Sequence, residues 1–252
     1  MLAADMTVRM ISATVEIDQP QADGHRIAAA GFLVSDPTPD GRPRTVLVTA
    51  NHVFDDMPGD TAMVGYRTQG ADGAWAFTPQ PLPIRAGGKP LWNQEPGHDI
   101  AVLAVQAPPA FAQAAVPLSW LAGDADAAAA PLTVGQEMLA LGYPDGLAAN
   151  AAGFPILRQG RIASWPLGGS ATTPTFLLDL RAYPGNSGGP VWTANGPPQI
   201  DGVLTQQVES GGHFLGLAVV ARAQFVLDAL ARLDAPPPAA PLPGAVLAAP
   251  KD

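Results

Sequence analysis

Cysteine is absent from the 252 residues of this chain. That removes disulfide frameworks, zinc ribbons, iron–sulfur ligation and cysteine nucleophiles together. Charge is scarce as well: 14% of residues are Asp, Glu, Lys or Arg, where about 25% is usual. The charge present leans acidic, with a net −9, which repels phosphate backbones and argues against a nucleic-acid partner. No apolar run approaches the roughly 18 residues of a spanning helix, so no membrane partner is expected. Residues 1–10 lack both a basic start and an apolar core of about 7–15 residues, so they are not a signal peptide.

In place of these features the chain has 27 Gly and 28 Pro within a sequence that is 47% hydrophobic. So apolar a chain is not intrinsically disordered, and no Gly-X-Y period marks a collagen. Short apolar segments are instead punctuated by Gly and Pro about every ten residues, the pattern of an all-β protein. Strand-like runs occur at 31–35, 45–49, 100–105, 137–141, 175–180, 202–205 and 215–220. Turn signals lie between them, as at Pro39-Asp40-Gly41 and Pro144-Asp145-Gly146. The Ala- and Pro-rich residues 106–131 have no sustained period and read as a long connection. Helical spacing appears at 222–233, where Phe225, Val226, Ala229, Leu230 and Leu233 share one face. The Pro/Ala-rich residues 235–252 read as an unstructured tail or an extended linker.

Three segments carry chemistry. One strand ends on a histidine, Val48-Thr49-Ala50-Asn51-His52. Another begins just after an aspartate, Asp99-Ile100-Ala101-Val102-Leu103. A serine lies in a glycine-rich turn, Gly185-Asn186-Ser187-Gly188-Gly189-Pro190. A serine hydroxyl is a poor nucleophile near neutrality and needs an adjacent base. It also needs backbone N–H groups aimed at the developing oxyanion, which a glycine-rich turn can present; Gly185 and Ser187 could supply two. Histidine has the pKa for the base, and a carboxylate holds its tautomer and steadies the imidazolium. His52, Asp99 and Ser187 fill the three roles, and this chemistry requires neither metal nor cofactor. The serine turn also fits a G-x-S-x-G nucleophile elbow, with Asp201 and His213 following, but that motif demands a helix after the serine. Gly189-Pro190 and then Asn195-Gly196-Pro197-Pro198 cannot start one. His25, His98 and His213 read as loop or surface residues. Asp55, Asp56 and Asp60 lack the alternating ligands of a calcium loop.

These segments, with Leu141-Gly142-Tyr143-Pro144 and Gly160-Arg161-Ile162-Ala163-Ser164 in the same order, resemble the trypsin-like serine peptidases, specifically the bacterial HtrA/Deg-like branch. The resemblance covers roughly residues 29–230 and implies two antiparallel six-stranded β-barrels with a C-terminal helix and a site between the barrels. It places His52 and Asp99 in a first barrel (1–118), an inter-barrel connection at 119–131, and Ser187 with the terminal helix in a second barrel (132–234). It implies a peptide or protein substrate and a periplasmic or secreted home, and leaves the oligomeric state open. Digestive relatives carry Asp before the serine, where it pairs with a newly cut amine; Asn186 stands here and cannot form that ion pair. HtrA-type members usually continue into PDZ domains, for which residues 235–252 are too few.

The resemblance also assigns substrate contacts. Arg181, six residues before the serine, would floor the primary specificity pocket and favour an acidic side chain, unless it points to solvent. Leu204 stands where glutamate-specific relatives place a histidine, which favours a small or apolar side chain instead. Thr205 resembles the hydroxyl residue that supports the aspartate, and Gln206 and Gln207 would border the bound peptide. An esterase using the same triad, or a module of this fold that binds peptides without cutting them, remains open from the residues alone.

Overall fold

The computed structural model describes residues 3–234, so the 235–252 tail lies outside the described residues. The described residues are mostly β and form two large sheets and one small one, the two-stranded pair Arg85–Ala86 and Lys89–Pro90. In the N-terminal sheet the strands run in the order Trp75–Pro83, Thr61–Gln69, Thr14–Pro20, Arg26–Ser35, Thr45–Thr49, Ile100–Val105 and Asn93–Glu95, with Val116–Pro117 added parallel to Arg26–Ser35. The C-terminal sheet is a closed six-stranded barrel of Glu137–Gly142, Ile156–Ile162, Thr175–Asp179, His213–Arg222, Ile200–Ser210 and Pro190–Thr193. Helix Gln224–Ala231 follows it, within the stretch where helical spacing appeared.

The all-β architecture with a closed C-terminal barrel and a following helix is present as expected, with a difference in the N-terminal half, which is an open eight-stranded sheet. Its outer strand shows why. Pro79, Pro81 and Pro83 have the same parity in the nine-pair ladder with Thr61–Gln69. Their missing N–H groups all fall on the side away from that ladder, so the 79–83 part of this edge has none to donate to a closing strand. An apolar hollow of about 300 Å³, lined by Val64, Leu82 and Leu103 among others, occupies the open side.

Residues 106–131 are more ordered than their composition implied. They hold helices Pro109–Ala114 and Asp124–Ala129, and Val116–Pro117 joins the N-terminal sheet. Leu121 already bridges to Ile200 of the barrel. Helix Ala3–Ala13 is a further element that the pattern did not announce.

Three apolar clusters hold the molecule together. One, with Leu33, Phe54 and Met57, fills the N-terminal sheet, and another, with Met138, Phe176 and Leu178, fills the barrel. The third lies between them and draws Met10, Phe32 and Val48 from one half and Leu141, Trp192, Val203 and Phe225 from the other. Above this joint the serine turn presses on strand Arg26–Ser35, where the Ala30 amide donates to the Ser187 carbonyl at 2.9 Å. Gly188 makes the approach possible: at φ +86°, an added Cβ would collide with the Ala30 carbonyl and the Thr49 hydroxyl. Gly73 has a similar φ of +82° but open space around it. Gly73→Ala should therefore lose only the left-handed backbone preference, about 1–2 kcal/mol. Gly188→Ala should lose clearly more, because the two halves must also part; urea denaturation of both variants measures the difference.

Candidate active site

Strand Thr45–Thr49 is a run of β-branched residues and leucine, buried except at its first position. Its end turns through Ala50 into the short helix Asn51–Asp55, which carries His52 in its first turn. The helix is held from below. Trp92 Nε1 donates to Asn51 Oδ1 at 2.8 Å, and the Trp92 ring packs against Phe54 with centroids 5.2 Å apart.

Asp99 sits immediately before strand Ile100–Val105, with its backbone in the left-handed region at φ 36°. Asp tolerates that conformation better than most side chains. The bend folds the carboxylate back onto His52, where Oδ2 lies 2.8 Å from ring Nδ1 and Oδ1 accepts the His52 amide at 2.9 Å. The Asn51 amide also donates to the Asp99 carbonyl at 3.2 Å. In the neutral ring a carboxylate partner places the proton on Nδ1 and leaves the Nε2 lone pair free. Burial opposes charging of His52, but the hydrogen bond and charge of Asp99, with the charges of Asp56 and Asp55, outweigh it and raise the pKa above 6.5. The side chains of His52 and Asp99 remain 37% and 27% exposed.

Ser187 comes from the C-terminal barrel. Its turn is pinned to strand Ile200–Ser210 by two bonds to one residue: Gly188 N–H donates to the Leu204 carbonyl at 2.8 Å, and Leu204 N–H to the Gly189 carbonyl at 2.9 Å. Gly185, at φ +91°, fits so closely under Tyr143 that a Cβ would strike the Tyr143 carbonyl. The amides of Gly185 and Ser187 donate to no backbone carbonyl among the described residues. A cleft of about 240 Å³ brings His52 and Ser187 together with Ala182, Tyr183, Pro184, Leu204, Thr205, Gln206 and Gln207. A second hollow of about 220 Å³ shares Thr205 and Gln206 with it and reaches past Asp99 to His98 and Phe225. The Ser187 hydroxyl donates to the Thr205 carbonyl at 3.1 Å.

The other residues singled out in the sequence occupy varied positions. Arg181 is exposed and does not line the cleft; its guanidinium lies 5.2 Å over the Tyr183 ring. The next residue, Ala182, is buried in the cleft wall instead. The Thr205 hydroxyl points to the Val219 carbonyl at 3.4 Å and leaves Asp99 to His52. Asn186 is buried, and among the described residues neither its side-chain oxygen nor its nitrogen has a hydrogen-bond partner. His98 stacks on Phe225 with centroids 3.6 Å apart, and His213 is exposed at the end of a hairpin strand. Asp201, the carboxylate of the rejected nucleophile elbow, is bonded to Thr193 and Gln199, and burial raises its pKa to about 6. Strand Pro190–Thr193, not a helix, follows the serine. No group of metal-ligating side chains is present among the described residues. Tyr183, Pro184 and Ala182 went unnoticed in the sequence as cleft residues, although all three lie within five positions of Ser187.

Comparison with known proteins agrees with this arrangement at the level of family and fold. Two structures of the HtrA-type protease AlgW with tripeptide, one of them of a variant, superpose with TM-scores of 0.59 and 0.56 at 18% and 17% identity. Each match covers 93% of this chain and 64% of the other, so the chain spans under two thirds of their length. At that identity the likeness is one of fold. No curated protein matches the sequence. The family model described as trypsin-like peptidase domain matches residues 29–197, about two thirds of the chain. The chain belongs to the trypsin-like peptidase family.

Proposed function

We propose that this chain is a serine endopeptidase that cleaves peptide bonds through an acyl-enzyme on Ser187. The observation that carries the reading is the His52–Asp99 pair, 2.8 Å apart, opening into the cleft that also holds Ser187. His52 Nε2 takes the Ser187 proton as Oγ attacks the scissile carbonyl, and Asp99 stabilises the imidazolium formed. The Gly185 and Ser187 amides receive the oxyanion. The imidazolium returns its proton to the leaving amine, and a water activated by the same ring then hydrolyses the ester. Before attack the serine hydroxyl must leave the Thr205 carbonyl, which a rotation about χ1 achieves. That same rotamer favours the second reading, a peptide-binding module that does not cut.

The buried Ala182 and Leu204 in the cleft wall suit a small or apolar side chain before the scissile bond. Thr205, Gln206 and Gln207 would border the bound chain, whereas Arg181, outside the cleft, would touch a substrate only beyond Tyr183. A peptide or protein substrate and a periplasmic or secreted setting belong to this proposal. No helix among the described residues is long and apolar enough to cross a membrane.

With casein and an ester substrate side by side, Ser187→Ala should abolish both activities. Asp99→Asn should lower kcat about 10⁴-fold, because the histidine loses its working tautomer. Cleavage of neither substrate by the wild type would favour the binding module, and cleavage of the ester alone an esterase. The pH profile offers a second check. His52 must be neutral to act as base, and its pKa is raised, so kcat/KM should climb with pH through a midpoint above 6.5 and then level off. Asp56→Asn removes one of the charges that raise it and should move that midpoint to lower pH.

A further inference from the structure

The proposed oxyanion donor at Gly185 depends on the orientation of one peptide plane, and a turn 40 residues earlier in the chain sets it. Tyr143-Pro144-Asp145-Gly146 lies against the serine turn and binds two successive carbonyls. Asp145 N–H donates to the Pro184 carbonyl at 2.6 Å, and Tyr143 N–H to the Gly185 carbonyl at 3.0 Å. In a trans peptide the carbonyl and the next N–H point in opposite directions. Holding the Pro184 carbonyl on Asp145 therefore turns the Gly185 N–H away from the 143–146 turn, and among the described residues no backbone carbonyl accepts from it. Rotating that plane by about half a turn would withdraw the donor and aim the Pro184 carbonyl the other way.

The turn that prevents this is itself an unfavourable conformation. Asp145 has φ 53° and Gly146 φ 71°, two left-handed residues in succession, one of them not glycine. A side chain from the other half of the molecule holds the turn in place. Arg26 Nη2 donates to the Gly146 carbonyl at 2.8 Å. The same guanidinium pairs with Glu16 at 2.5 Å and Asp18 at 2.8 Å. Glu16 and Asp18 lie on strand Thr14–Pro20, which pairs along its length with the strand that begins at Arg26. Four residues further along that strand, the Ala30 amide holds the Ser187 carbonyl. One strand of the N-terminal sheet thus reaches both the serine and the turn that orients Gly185.

We propose that Arg26 is a positioning residue for oxyanion stabilisation: by anchoring Gly146 it keeps Asp145 N–H on the Pro184 carbonyl and Gly185 N–H available to the substrate. The inference rests on the proposed role of Gly185 and Ser187 as oxyanion donors. It assigns a catalytic consequence to an ion-paired arginine outside the cleft.

The test compares wild type, Arg26→Met, Arg26→Lys and Arg44→Met with a peptide substrate and a peptide boronic acid, whose serine adduct reproduces the tetrahedral oxyanion. Arg44→Met is the control, since it breaks another ion-pair cluster, with Asp36 and Asp234, away from the turn. Arg26→Met should lower kcat about 10- to 100-fold, less than the 10²–10³-fold for outright loss of a donor. KM should stay within about twofold of wild type, and boronic acid affinity should fall in step with kcat. Arg26→Lys, keeping the charge and a donor, should recover part of both losses, and Arg44→Met should lower stability without changing kcat per folded molecule. The inference is overturned if Arg26→Met, at equal folded fraction, keeps wild-type kcat and boronic acid affinity, or if Arg44→Met reproduces its effect. A wild type that neither cleaves nor binds the boronic acid overturns this inference together with the functional reading beneath it.

Discussion

The backbone of the serine turn meets the backbone of strand Arg26–Ser35 so closely at Gly188 that no side chain fits between them. The Ala30 amide reaches the Ser187 carbonyl, the Thr49 hydroxyl closes on the Ala30 carbonyl at 2.8 Å, and Gly188 occupies space that has no room for a Cβ. Because His52 follows Thr49 by three residues, the contact that seats the serine turn also sets its distance from the histidine. The apolar joint under it, from Phe32 and Val48 to Trp192 and Val203, supplies the adhesion but no direction. The hydrogen bonds and the glycine supply the register.

Electrostatics then act within that frame. Asp99 spends both carboxylate oxygens on one residue, the ring and the amide of His52, so the imidazole is fixed in orientation as well as in tautomer. Its acidic neighbours Asp55 and Asp56 lie in or just beyond the same short helix. The acidic balance of the whole sequence thus has a local counterpart, in carboxylates that favour the protonated ring. On the opposite wall, the Pro184–Gly185 peptide is oriented by a turn that Arg26 holds from across the joint.

Much of the frame is legible in the residues. The continuous apolar runs at 45–49 and 100–105 are strands buried nearly throughout, as such runs should be. Segments that alternate poorly were missed: 75–83 is nearly all exposed and carries three prolines, yet it is a strand because an edge tolerates both. Residues 106–131 lack a period because their elements are too short to show one. Among the candidate residues, His52, Asp99 and Ser187 stood out because each sits in a motif whose order is distinctive. Arg26 and Asp145 could not stand out, since an arginine at a strand start and an aspartate in a Pro-Asp-Gly turn are commonplace until the fold brings them to Gly185. Arg181 shows the reverse case. Counting back from the serine finds the neighbourhood of the cleft, but Ala182 fills its wall and Arg181 faces out over Tyr183.

The central claim is that His52, paired to Asp99, activates Ser187 as a nucleophile, and covalent labelling tests it most directly. Intact-mass measurement after exposure to a fluorophosphonate should show one adduct per chain, located on Ser187 by peptide mapping. It should be absent from Ser187→Ala and greatly slowed in His52→Ala. A wild-type protein that stays unlabelled, or one labelled equally when Ser187 is replaced, would contradict the account.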